Sequence, residues 1–86
     1  MKRVYLVVNM VENFEEENVT DLYTSVYSTY KRAKEEHRNL INEIEDNYNE
    51  NGFSYNVEEN GDIVAIYRSD DLEKHSINLV EKIVNF

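Results

Sequence analysis

Apolar residues between Thr29 and Asn51 recur at steps of three and four. This spacing places them on one stripe of a helix with about 3.6 residues per turn, and the positions between them are mostly charged or amide side chains. The stripe consists of Tyr30, Ala33, His37, Leu40, Ile41, Ile44 and Tyr48. The pattern predicts an amphipathic helix over Thr29–Asn51, with Ser28 as its N-cap and Gly52 just past its end. We expect His37 to be a packed, hydrogen-bonded core residue.

Three further segments have the composition of β-strands. Arg3–Val11 is a nearly continuous run of β-branched, aromatic and aliphatic residues, which is typical of a central strand with both faces at least partly covered. Phe53–Glu58 alternates apolar and polar residues, and Asp62–Arg68 is rich in Ile, Val and Tyr. Between them lies Asn60-Gly61, a strong hairpin signal because both residues accept positive φ. We therefore predict a β-hairpin after the helix.

Two segments fit either a strand or a helix. Val19–Tyr27 has apolar residues at helical spacing, in phase with the long helix, but its Val, Thr, Tyr and Ser residues are weak helix formers. We predict a strand there, with one irregularity in its alternation. Ser76–Val84 alternates on two faces and is predicted as the last strand, after a short capped turn over Ser69–His75. The alternative for this region is a helix from Asp70 to Val84.

These segments predict a single domain over residues 1–86. Its class is α+β: an antiparallel sheet in the chain order β-β-α-β-β-β, with one long amphipathic helix packed on one face. The pattern leaves the order of the strands within the sheet open.

Composition limits the classes of function. The hydrophobic content of 41% and the aromatic content of 12% are too high for a disordered chain, and the absence of cysteine excludes disulfides and thiolate chemistry. Eighteen acidic residues against nine basic ones give a formal net charge of −9. Nucleic acids and anionic membranes attract cationic surfaces, so this balance argues against direct binding to either. It favours a protein that occupies a basic surface which normally holds nucleic acid.

No arrangement of residues indicates catalysis, and we predict that the protein is not an enzyme. Neither His37 nor His75 has the spacing of a triad or a nucleophile elbow around it, and both glycines fall at predicted turns rather than in a phosphate-binding loop. A metal site is conceivable from Asp70, Asp71, Glu73 and His75. Such a mixture within one short segment is more often a capped turn, so we predict no metal and no cofactor.

Carboxylates near aromatic residues are the remaining signal. The loop Glu12–Asn18 carries four Glu residues around Phe14, and aromatic anchors dominate the hot spots of protein interfaces. A second acidic run, Glu43–Glu50, follows the C-terminal half of the helix. If these groups share one face, they can imitate the phosphates of a duplex; the alternative is that they only solvate the surface. The predicted partner-binding residues are Phe14, Glu15, Glu16, Glu17, Glu43, Asp46 and Glu50.

The first half of the chain resembles a pattern in small bacteriophage and prophage proteins. It carries VYLV within Lys2–Val8, VYST at Val26–Thr29 and KRAKEE at Lys31–Glu36. In the phage pattern a VYLV strand, a second strand ending in VYST and a helix that opens with KAKEE-type residues follow one another. Tiny, acidic, cysteine-free phage proteins also resemble anti-defence inhibitors, including anti-CRISPR proteins. The resemblance implies an inhibitor that acts in the cytoplasm of a host cell.

We therefore expect a non-enzymatic, acidic protein-binding module encoded by a phage or mobile element. It would block a host protein with a basic, nucleic-acid-binding surface, as a DNA mimic, without binding nucleic acid or a membrane itself. The alternative is a structural or assembly protein that self-associates through an edge strand, with Ser76–Val84 as the candidate strand. The sequence does not decide between a monomer and a homodimer. A third hypothesis is an enzyme that uses His75 or His37.

Overall fold

One helix and five strands make up the described part of the chain, residues 2–15 and 19–85 of a computed structural model. The elements are β1 (Lys2–Asn13), β2 (Val19–Tyr27), α1 (Tyr30–Glu50), β3 (Tyr55–Asn60), β4 (Ile63–Arg68) and β5 (Glu73–Val84). The strands form one sheet in the order β2-β1-β5-β4-β3, and each neighbouring pair is antiparallel. The predicted α+β class and the predicted order of elements along the chain are confirmed.

The two ambiguous segments are both strands. Val19–Tyr27 pairs with β1 without interruption, from Tyr5 opposite Tyr27 to Asn13 opposite Val19. The alternative of a continuous helix is wrong because β-branched and aromatic residues favour the ladder, and the irregularity that we expected in this strand is absent. The alternative helix from Asp70 to Val84 is wrong for the same reason. A turn and bend precede Glu73, where β5 begins, in place of the short capped helical turn.

Chain reversals lie within one or two residues of their predicted positions. Thr29 rather than Ser28 caps α1, because its Oγ1 accepts a hydrogen bond from the Arg32 N–H at 3.3 Å. The β3–β4 hairpin has Gly61 and Asp62 as its two loop residues, whereas we expected Glu59, Asn60 and Gly61 between the strands. Gly61 has a φ of 61°, so the residue that needs the left-handed region is the glycine itself.

The helix packs lengthwise on one face of the sheet, which we call the helix side. This face carries Val7 of β1, the alternate residues Val64 and Ile66 of β4, and Ile77 and Leu79 of β5, all buried. From α1, the residues most deeply buried against it are Ala33, His37 and Tyr48.

His37 is 2% exposed and its Nε2–H donates to the Ile77 carbonyl at 2.9 Å, so the expected core role is confirmed. The bond joins the middle of α1 to the centre of the sheet.

The opposite face of the sheet, the open face, is not covered by any element among residues 2–15 and 19–85. β1 lies between β2 and β5, as expected of an interior strand, but only its helix side is covered. Ser76–Val84 belongs to β5, which lies between β1 and β4, so our expectation that this segment forms an edge strand is wrong. The edges are β2 and β3. The order of the strands depends on pairing between residues that are distant in the sequence, so the local pattern of residues does not predict it.

Candidate protein-binding site

Three parts of the chain meet at one end of the sheet. Asn13 at the end of β1 pairs with Glu73 at the start of β5, and the Phe14 N–H donates to the Leu72 carbonyl at 2.9 Å. The Tyr48 hydroxyl, near the end of α1, donates to Glu73 Oε1 at 2.6 Å. We call this region the acidic end and define it as Phe14, Glu15, the helix from Glu43 to Glu50, and Asp70–Glu73.

Arg68 is the buried cation that organises the acidic end. The residue is 5% exposed, and it is the last of the β4 residues that point to the helix side. Its Nη2 donates to Glu15 Oε1 at 2.6 Å, and its Nε donates to both carboxylate oxygens of Asp70, at 2.8 and 2.9 Å. The guanidinium also lies 4.1 Å from the centre of the Phe53 ring, a cation–π contact.

These bonds shift the titration of the groups involved. The hydrogen bond from Arg68 holds the pKa of Asp70 below its ordinary value, although desolvation opposes this. The same bonds raise the pKa of Arg68, so the cation is permanent. The loop after β1 and the turn before β5 are thus tied to one fixed positive charge.

A second polar cluster joins α1 to β5. Glu73 Oε1 accepts hydrogen bonds from the Tyr48 hydroxyl at 2.6 Å and from His75 Nε2 at 2.9 Å. Desolvation acts to raise the pKa of Glu73, but these two hydrogen bonds outweigh it and hold the pKa below its ordinary value. Burial and the neighbouring carboxylate raise the pKa of Tyr48, so its hydroxyl stays a fixed donor at neutral pH. The cluster anchors the end of the helix.

The structure brings together five of the seven predicted partner-binding residues. Phe14 is 40% exposed beside Leu72. Glu43, Asp46 and Glu50 follow one stripe of α1 at steps of three and four, and all three are exposed. Glu43 also lines a shallow depression that contains Glu73 and His75.

Of the other predicted partner-binding residues, one forms an ion pair within the protein and two lie outside the described residues. The Glu15 carboxylate forms an ion pair with Arg68, and the Glu15 backbone N–H donates a hydrogen bond to Asn13 Oδ1 at 3.0 Å. Glu16 and Glu17 lie outside the described residues. Within residues 2–15 and 19–85, no ion pair involves Glu43, Asp46 or Glu50. Together with Asp71, these three are therefore the exposed carboxylates of the acidic end that make no ion pair among the described residues.

Charge is distributed unevenly along the molecule, whose longest extent is 45 Å. The opposite end, where the Tyr5 and Tyr30 rings lie 5.9 Å apart, holds most of the described cations. They are Lys2, Arg3, Lys31, Arg32, Lys34 and Lys82. Some are paired there: Lys34 Nζ lies 2.7 Å from Asp62 Oδ1, a contact that lowers the pKa of Asp62. The negative end of the α1 dipole lies at the acidic end, so the dipole and the carboxylates reinforce each other.

Sequence reasoning identified the carboxylates of this site but missed Arg68 and the Tyr48–Glu73 bond. A signal for Arg68 was present. It follows Val64 and Ile66 at the strand period of two, so an arginine at this position points to the same buried side. The partners of a buried arginine are then expected among nearby carboxylates.

Comparison with protein-family models, with curated proteins and with solved structures found no match to this chain. Among the described residues, no group of three or more histidine or carboxylate side chains is arranged to hold a metal ion. The single described helix is not apolar enough along its length to cross a membrane.

Proposed function

We propose that the acidic end binds a basic surface of another protein, and that this surface normally holds nucleic acid. On this proposal the protein is a non-enzymatic inhibitor of the anti-defence type, encoded by a phage or mobile element and acting in the cytoplasm of the host cell. The observation that carries the proposal is the stripe of Glu43, Asp46 and Glu50, exposed and without a cationic partner among the described residues.

The stripe presents its carboxylates in a row, as a nucleic-acid strand presents its phosphates. The carboxylates are separated by three and four residues, which is about 4.5 and about 6 Å along a helix axis. Phosphates on one strand of a duplex lie closer, at about 3.4 Å along the axis. A groove lined with Lys and Arg therefore engages this stripe as a row of negative charges, without one-to-one matching of phosphate positions. The resulting potentials are complementary, which raises the rate of encounter and selects the partner.

Phe14 supplies the apolar contact that carboxylates lack. It is 40% exposed at the same end of the molecule, and its backbone is held by the bond to Leu72. Aromatic side chains on a fixed backbone are typical interface anchors because they lose little conformational entropy on binding. An anchor beside a charged stripe favours a protein partner over a small ion.

The test compares two triple variants that change the net charge equally. In the first, Glu43→Lys, Asp46→Lys and Glu50→Lys reverse the stripe. In the second, three exposed carboxylates elsewhere are reversed: Glu35→Lys, Glu58→Lys and Glu59→Lys. Each protein is immobilised and exposed to bacterial lysate at low salt, and bound proteins are eluted with a short DNA duplex.

We expect the unmodified protein and the second variant to retain proteins that the duplex elutes, and the first variant to retain none. Elution by the duplex shows that the captured protein used its nucleic-acid-binding surface. Equal capture by both variants would contradict the proposal, because the stripe would then contribute nothing beyond net charge. Bound proteins that resist the duplex would contradict nucleic-acid mimicry.

A further inference from the structure

The open face carries a second apolar surface that the helix does not use. Side chains alternate across a strand, so the residues between the buried positions of each strand point to this face. The uninterrupted registers bring Leu6 of β1 between Val26 of β2 and Val80 of β5, and Met10 beside Leu22. The apolar residues of this face are Val4, Leu6, Val8, Met10, Leu22, Val26, Ile63, Ala65, Val80 and Val84.

Several of these side chains are strongly exposed. Leu22 is 64% exposed, Val26 62%, Ile63 58% and Val80 45%. With the apolar residues between them, they form a patch across β2, β1, β5 and the start of β4 rather than isolated surface residues. A domain normally buries each apolar face of its sheet against another layer, and contiguous apolar patches of this kind mark interaction surfaces.

The charge of the open face differs from that of the rest of the molecule. By the same alternation, the open face carries three lysines, Lys2, Lys74 and Lys82, against two carboxylates, Glu12 and Glu58. The whole chain has a formal net charge of −9. The excess of carboxylates therefore lies on the helix side, in the helix and in the loops.

We propose that the open face binds a second copy of this chain, so that two sheets pack face to face with the two helices outside. Two copies that approach through any acidic surface repel each other, whereas through the open face they bring together surfaces with a slight excess of cations and apolar centres. Sheets packed in this way lie about 10 Å apart and interdigitate their side chains. The proposal is independent of the proposed function, because both acidic ends remain accessible.

The area of the whole open face is close to what each partner of a stable dimer buries. Five strands about 4.8 Å apart, with about nine residues each rising about 3.3 Å, give a face of roughly 700 Å². Stable interfaces take about 800 Å² of accessible surface from each partner. The chain also gains a second core, which an 86-residue domain with one covered sheet face lacks.

Asn78 is a polar residue inside this patch, between Val8 of β1 and Ile63 of β4. Its Oδ1 is shielded from solvent and accepts no hydrogen bond from any described residue. A shielded acceptor without a donor lowers the stability of the single chain. A single polar group in an apolar interface also fixes the register of the two copies.

The test again uses matched substitutions on the same two strands. Leu22→Lys with Val80→Lys places charges on the open face, and Tyr23→Lys with Ile83→Lys places them on the helix side. Tyr23 is 59% exposed and Ile83 54%, so neither pair alters the core. Light scattering after size exclusion gives the mass of each protein between about 1 µM and about 500 µM, with circular dichroism as the check of folding.

We expect the unmodified protein and the helix-side variant to reach twice the 10.3 kDa of one chain. The open-face variant should stay at the mass of one chain, with dimerisation weakened by at least about a hundredfold because lysines are buried unpaired. Val26→Thr with Val80→Thr keeps the β-branched shape and should weaken dimerisation about tenfold, which provides a test if the lysine variant fails to fold.

Three results would overturn the proposal. A mass of one chain for the unmodified protein at every concentration would exclude a second copy and leave a different protein as the occupant of the face. A dimer that survives the open-face substitutions would place the interface elsewhere, for example at the β2 or β3 edge. Equal weakening by both lysine variants would show that the effect does not depend on which face of the sheet carries the lysines.

Discussion

Arg68 is the single side chain on which the acidic end depends most. Its own side chain is 6% exposed, while those of its partners Glu15 and Asp70 are 48% and 40% exposed. Without the cation, both carboxylates can be hydrated, so each ion pair by itself contributes little. The guanidinium is different, because it is buried against Phe53 and, among the described residues, only these two carboxylates accept its hydrogen bonds. The main role of Arg68 is therefore to position the loop after β1 and the turn before β5, rather than to stabilise the fold through the attraction of its charge.

We predict that Arg68→Gln lowers the free energy of unfolding by about 1–3 kcal/mol, since it removes charged hydrogen bonds and leaves a poorly filled site. Glu15→Gln should lower it less, because the partially exposed Glu15 is readily hydrated. Urea unfolding measures both values. If the two variants were equally stable, the organising role of Arg68 would be wrong.

Glu73 makes the stability of the protein depend on acidity. Its folded-state pKa is held below its ordinary value by Tyr48 and His75. A carboxyl group with a lowered folded pKa contributes stability that is fully present above its unfolded pKa of about 4.3 and is lost as the pH falls through the folded pKa. We predict that Glu73→Gln reduces stability at pH 7 and flattens its loss below about pH 4.

Urea unfolding measured at a series of pH values tests this expectation. Glu35→Gln, which changes an exposed carboxylate in α1, is the control and should follow the unmodified protein. A Glu73→Gln curve parallel to that of the unmodified protein would show that the Tyr48–Glu73–His75 cluster has no role in acid sensitivity.

At the scale of elements, α1 carries its charges against its own dipole. Its first turn contains no acidic residue and its last turn contains no basic one. Each such mismatch in a terminal turn costs about 0.3–1 kcal/mol. The helix is held in spite of this by its buried stripe and by the bond between His37 and Ile77. A charge order that lowers stability but places carboxylates at the acidic end is what a binding role would require.

Two Asn→Lys substitutions separate the effect of the helix dipole on the stability of α1 from the effect of helix propensity. Asn49 lies in the last turn and Asn39 near the middle of α1, and both are exposed. We predict that Asn49→Lys is more stable than Asn39→Lys by about 0.3–1 kcal/mol, even though it loses a weak bond to the Tyr55 hydroxyl. Equal stabilities in urea unfolding would mean that the dipole term is negligible here.

The helix and strands followed from the sequence because they depend on neighbours along the chain. The stripe over Thr29–Asn51 and the β-branched residues of Val19–Tyr27 were sufficient to predict α1 and β2. The order of the strands was not predictable, because the pairing of Lys2 with Val84 joins residues that no local pattern connects. For the same reason the contact of Glu15 with Arg68 was missed. The stripe of Glu43, Asp46 and Glu50 was predictable, since it lies within one helix.

At the scale of the whole molecule, the acidic end and the open face lie on different surfaces, and we expect the two proposed interactions to respond oppositely to salt. Attraction between the acidic end and a basic partner is screened by ions, with a Debye length of about 10 Å at 0.1 M. Two copies that each carry a formal net charge of −9 repel each other, and ions screen this repulsion as well. Apolar contact across the open face is not weakened by screening.

We predict that an increase in NaCl from about 20 mM to about 300 mM tightens self-association but slows the capture of a basic partner by tenfold or more. Sedimentation at several protein concentrations gives the first quantity, and the association rate with a protein recovered in the DNA-duplex elution gives the second. Self-association that weakens with salt would indicate contacts between opposite charges rather than the open face.

The ladder between β1 and β5 also has a consequence for how the chain reaches its native state. Each of the pairs β1–β2 and β3–β4 joins neighbours across a short reversal and can close in microseconds. The middle of the sheet forms only after β5 has paired with β1 across most of the chain, and non-local pairing of this kind is slow. During this delay β1 exposes apolar residues on both faces. The yield of native protein on refolding from denaturant should therefore fall steeply as the protein concentration rises. The reason is that incompletely folded chains associate through β1 before β5 pairs with it.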